Sequence, residues 1–87
     1  MHTIREKLLV SGEDSVVFPF KRKLLPHSAK AHFIDHERHH HPGCNPVVKD
    51  HVCAEVIALP GGAHAVRVMW RVSHVREIEW EVIEHTY

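Results

Sequence analysis

The residues best suited to chemistry lie between positions 27 and 53, where His27, His32, His36, His39, His40, His41 and His51 accompany both cysteines, Cys44 and Cys53. Imidazole and thiolate are the side chains that hold zinc best and that titrate nearest neutral pH. His51 and Cys53 stand two apart at the start of an expected strand, so both point to one face of it. Cys44 belongs to a Pro-Gly-Cys-Asn-Pro turn, a shape able to present a thiolate. With one or two of His39, His40 and His41 they make a Cys2His2 donor set for zinc. The spacing lacks the coupled C-x2-C or H-x3-H pairs of zinc motifs, and solvated histidines in a surface loop are the commoner origin of such a segment.

A zinc-dependent enzyme is the catalytic version of the same set. His40, His41, Asn45 and His51 supply the base, orienting and ligand types of small His-metal nucleases. The residues that follow, VCAEVIAL, read as a strand instead of the ligand-bearing helix such enzymes use. Either cysteine beside a histidine has the ingredients of an activated thiolate, an adjacency that so many histidines produce by chance. No Gly-rich phosphate loop is present, since Pro60-Gly61-Gly62 is more simply a hairpin turn.

A second constellation is Phe18, Phe20, Lys21, Arg22 and Lys23, which interleaves aromatics with bases. These are the ingredients for contact with a nucleic acid or another partner, by stacking and phosphate neutralisation on a small β-barrel. Phe18 and Phe20 share one side of a strand, so a buried Phe pair leading into a basic loop is the plainer outcome. Glu77, Glu79 and Glu81 form an acidic stripe, which cross-strand pairing with Arg67, Arg71 and Arg76 would largely explain.

The elements that position these residues are mostly strands. From Val52 the chain reads VCAEVIAL, Pro60-Gly61-Gly62, AHAVRVMWRV and REIEWEVIE, alternating β-branched and aromatic runs that predict a three-stranded antiparallel meander. Val56 opposite Val66 closes the first hairpin, setting Ala54 against Val68 and Glu55 against Arg67. Trp70 opposite Trp80 aligns the second, with Val72 against Ile78, Val68 against Val82 and Arg71 against Glu79. The face so buried carries Val52, Ala54, Val56, Val66, Val68, Trp70, Val72, Ile78, Trp80 and Val82. The opposite face mixes charges with Ile57, Met69 and Ile83, which suggests partial cover.

Upstream, SVVFPF over 15–20 is a strand that Pro19 confines to an edge or a bulge. Residues 3–10 carry both a capping box, Thr3 with Glu6, and a strand pattern in Ile4, Leu8 and Val10. The strand is favoured because so short an isolated helix is marginal. Residues 28–41 face the same choice between a helix stacking His32, His36 and His40 and a short strand over 31–35. The aromatic and β-branched residues favour the strand.

A chain of 87 residues is expected to form one domain, 1–87, with a small core. Lys plus Arg equals Asp plus Glu at 11 each, which argues against a strongly basic nucleic-acid binder. The N-terminus lacks a signal peptide's apolar stretch, and no run approaches the roughly 20 apolar residues of a membrane span. A cytoplasmic setting without membrane contact is the expectation, with cysteines free or metal-bound.

The expected architecture is mainly β, an antiparallel barrel or sandwich of about five strands with a C-terminal three-stranded meander, the alternative being α+β with one short helix near either end of the histidine segment. The favoured function is a protein-interaction module, a subunit or inhibitor of a larger assembly such as those of phage and mobile elements. A nucleic-acid-binding β-barrel and a zinc-dependent enzyme are the alternatives.

Overall fold

A computed structural model describes residues 2–35 and 50–85. Apolar-polar alternation becomes six strands: β1 (His2–Val10), β2 (Glu13–Phe20), β3 (Lys30–Phe33), β4 (His51–Ala58), β5 (His64–Arg71) and β6 (Arg76–Glu84). They form two three-stranded antiparallel sheets, ordered β1-β6-β3 and β2-β5-β4. The chain is mainly β and sandwich-like, as its alternation indicates. Residues 3–10 are strand because Ile4 and Leu8 pair with Val82 and Ile78 on the inward face of β6. Pro19 lies in β2, an edge strand, where a missing amide costs least.

The β4–β5 hairpin has the expected register, with Val56 opposite Val66, Ala54 opposite Val68 and Glu55 opposite Arg67. Its turn is a single 3-10 turn, Pro60–Gly62, in which Gly61 and Gly62 take φ of 86° and 87°. Those left-handed values favour glycine in the turn.

The expected third strand of the meander is corrected. β6 pairs with β1 and β3, not with β5, so Trp70 is not opposite Trp80 and Arg71 is not opposite Glu79. The connection over 72–75 carries the chain across to the other sheet. An arch between sheets and a hairpin within one sheet both preserve inward alternation, so periodicity alone does not separate them. The expected buried face therefore survives the change of partner. Val66, Val68, Val72, Ile78, Trp80 and Val82 are core, and Val52, Ala54, Val56 and Trp70 pack against it. The short strand expected over 31–35 ends at Phe33, leaving Ile34 and Asp35 beyond it.

Trp80, 2% exposed, is the centre of the core. Phe18 stacks on it across the sheets at 4.8 Å between centroids, and Phe20 meets it edge-on at 6.3 Å. Such aromatic pairs add about 0.5–1.5 kcal/mol each beyond area burial. At one end of the sandwich the Gly12 carbonyl accepts from the Val72 amide at 2.9 Å, tying two sheet-to-sheet connections together. At the other end the buried Leu24 amide donates to His64 Nδ1 at 2.9 Å.

Candidate interaction face

A strand's odd and even positions point to opposite faces, so the register fixes what each sheet shows outward. On the β1-β6-β3 sheet the outward row of β6 begins Glu77, Glu79 and Glu81. Arg5 and Lys7 of β1 and Lys30 and His32 of β3 are registered against the last two of these. Arg5 Nε reaches Glu81 at 3.1 Å and His32 Nε2 lies 3.7 Å from Glu79. The middle of this face is charged and cross-paired, while its ends carry apolar residues: Ile83, which the sequence grouped with Ile57 and Met69, lies here opposite Thr3, and Leu9, 69% exposed, lies opposite Glu77.

The β2-β5-β4 sheet differs. Its outward rows read Pro19, Ala65, Ile57; then Val17, Arg67, Glu55; then Ser15, Met69, Cys53; then Glu13, Arg71, His51. Ile57, Met69 and Cys53 are half-buried, Val17 is 44% exposed, and Ala65 is fully buried between its neighbours. The charges within the patch are already engaged: Arg67 pairs with Glu55, and Arg71 Nε lies 3.6 Å from Glu13. An open groove of about 480 Å³ crosses the end of the face, lined by Glu13, Ser15, His51, Met69 and Arg71. The arrangement offers apolar contact area framed by a few oriented charges, which is the anatomy of a protein-binding surface.

A separate polar cluster lies at the end of the sandwich that carries Asp35 and Asp50. Arg76, 8% exposed, donates from Nη2 to Asp35 Oδ1 at 2.9 Å and from Nη1 to Asp50 Oδ2 at 3.2 Å. Its guanidinium also lies over the Phe33 ring, 3.8 Å from the centroid. The Ser73 amide donates to Asp50 at 3.0 Å and the Glu77 amide to Asp35 at 3.3 Å. Hydrogen bonds from Arg76 hold the Asp35 carboxyl below the usual carboxylate range, against its partial desolvation and with help from the Glu77 amide. One cation thus fixes both Asp35 and Asp50, which are 15 positions apart in the sequence.

Of the zinc candidates, His51 and Cys53 are where the sequence places them, on the outward face opposite the Trp70 side, registered against Arg71 and Met69. Cys53 is a free thiol. His39, His41 and Cys44 lie outside the described residues, as do His40 and Asn45. Among the described residues, no group of three His, Cys, Asp or Glu is placed to hold a metal ion.

Phe18 and Phe20 face inward onto Trp80, while Lys21, Arg22 and Lys23 are exposed in the connection that follows. Arg22 Nη1 pairs with Glu84 Oε1 at 3.1 Å. The sequence thus separates rings and bases that a stacking platform would have to present together.

Sequence reasoning placed Arg76 beside the acidic stripe and did not find the Asp35–Arg76–Asp50 cluster. The available signal is parity: Arg76 stands in step with Ile78, Trp80 and Val82, on the inward face. Val17 was likewise absent from the sequence-based account of the outward face, although its parity in β2 opposes that of Val16, Phe18 and Phe20. No helix among the described residues is long and apolar enough to cross a membrane. Comparison of the chain with family models, with curated proteins and with solved structures finds no match.

Proposed function

We propose that the chain is a protein-interaction module, a subunit or inhibitor of a larger assembly, that receives its partner on the outward face of the β2-β5-β4 sheet. The contrast between the two outward faces carries this reading. One is charged and cross-paired through its middle, with Leu9 and Ile83 at its ends, while the other gathers Val17, Pro19, Cys53, Ile57 and Met69 around the Arg67–Glu55 pair. A small sandwich has no fold-level need for that asymmetry, because a solvated outer face is better served by polar residues. The partner surface that fits is an apolar ridge seated on Val17, Ile57 and Met69, with the Arg71–Glu13 pair at its rim.

The test is isolation of bound proteins from native cells with the wild type, Met69→Glu, Val17→Lys and Glu79→Lys. All three changes are at outward positions, where loss of the fold is least expected. A partner retained by Glu79→Lys and weakened more than about tenfold by the other two supports the reading. A partner lost only with Glu79→Lys overturns it.

A further inference from the structure

The four sheet edges among the described residues are not alike. β1 carries Glu6 on its inward side, registered opposite Trp80, together with Arg5 and Lys7. β2 carries Pro19, and β3 is only four residues long. Inward charges, proline and short length are the devices that stop an edge from pairing with another chain. β4, His51–Ala58, has none of them: it is eight residues long, has no proline, and its inward positions are Val52, Ala54 and Val56. Among the described residues it pairs only with β5.

Beside this edge runs an open groove of about 440 Å³, bounded by residues 54–58 and by Pro26, His27 and Ala29. His27 holds a φ of 62°, the left-handed region that a non-glycine residue enters at some cost, within the turn over 25–28 that forms this wall.

We propose that the occupant of this edge is a second copy of the chain, added antiparallel through β4 about a two-fold axis at Ala54. An antiparallel strand pair is self-complementary in its backbone hydrogen bonds, so one edge serves both partners. The side chains choose the register. Opposed residues must share a face, which permits an axis at Ala54 or at Glu55 near the middle of the strand. An axis at Glu55 sets that carboxylate against its own copy, a destabilising like-charge pair. An axis at Ala54 instead places Val52 opposite the partner copy's Val56 inside, and Cys53 opposite the partner copy's Glu55 outside, with no like charges opposed. The inference does not rest on the proposed docking face. If both hold, two outward faces join into one six-stranded surface.

Sedimentation over a concentration series under reducing conditions, with a parallel cross-linking arm, tests it. The expected result is a concentration-dependent dimer. Cys53→Lys, facing Glu55 of the other copy twice per dimer, should tighten association about two- to thirty-fold, and Cys53→Glu should weaken it by a similar factor. Opposite shifts from two substitutions at one site cannot come from loss of the fold. In a Cys44→Ser, Cys53→Ser background, Ala54→Cys should form an intermolecular disulfide under mild oxidation, whereas Val17→Cys on the far edge should not. A monomer at all concentrations overturns the proposal. So does a dimer that responds in the same direction to both charges, or one that cross-links through position 17 and not through position 54.

Discussion

Replacing Arg76 by Met removes the cation held between two carboxylates while keeping an unbranched apolar stem against Phe33. Arg76 and the Asp50 side chain are each 8% exposed, while Asp35 is 32% exposed. Removing one partner of a buried pair costs about 3–5 kcal/mol, because the remaining charge is left without compensation. Asp50 keeps the Ser73 amide and Asp35 keeps the Glu77 amide, which places the ionic loss near the lower end of that range. Losing the guanidinium over the Phe33 ring adds about 1 kcal/mol. The expected loss is about 4 kcal/mol, a large part of the 5–10 kcal/mol or so that holds a small domain together.

Urea unfolding followed by tryptophan fluorescence measures this directly. Combining Arg76→Met with Asp50→Asn should recover part of the loss, since no buried carboxylate then lacks its cation. In double-mutant cycles Asp50 should couple to Arg76 more strongly than the better solvated Asp35 does. A loss below about 1 kcal/mol for Arg76→Met, or a stronger coupling to Asp35, refutes the view of this cluster as a buried clamp.

Three further outcomes follow from the same contacts. Asp35 has a folded-state pKa below its unfolded value, so its contribution is fully present above about pH 4 and is lost as pH falls through the folded value. The stability difference between wild type and Asp35→Asn should be constant from pH 5 to 7 and shrink below about pH 4; a difference that grows on acidification contradicts the assignment. His64→Leu strands the buried Leu24 amide and should cost about 1–3 kcal/mol in urea unfolding, while His64→Asn, which keeps an acceptor, should cost less. Phe18→Ala should lose about 3–5 kcal/mol if the ring is a structural partner of Trp80, and near-wild-type stability would reassign it to a surface role.

Strand existence and facing were legible in the sequence because they depend on local alternation. Val52, Ala54 and Val56 read inward, and Glu55 opposite Arg67 follows from the hairpin at Gly61. The partner of β6 was not legible, because residues 72–75 can return a chain to its own sheet or pass it to the other with the same residues inward. The expected Trp70–Trp80 pairing fails on that choice alone, and Trp80 finds Phe18 instead. The placement of His51 and Cys53 on one outward face was readable from their spacing of two. The union of Asp35, Asp50 and Arg76 into one cluster was not, since contacts between distant segments leave no periodic trace. Arg76 illustrates the difficulty: composition says surface, and only its step with Ile78 says interior.

The most direct measurement of the central claim is site-specific photo-cross-linking in native cells, with the reactive group placed in turn at Met69, Val17 and Glu79. The account predicts that one protein partner is captured from positions 69 and 17, that Ile57→Lys abolishes the capture, and that position 79 captures nothing in common with them. Capture of the same partner from position 79 alone would contradict the assignment of the β2-β5-β4 face.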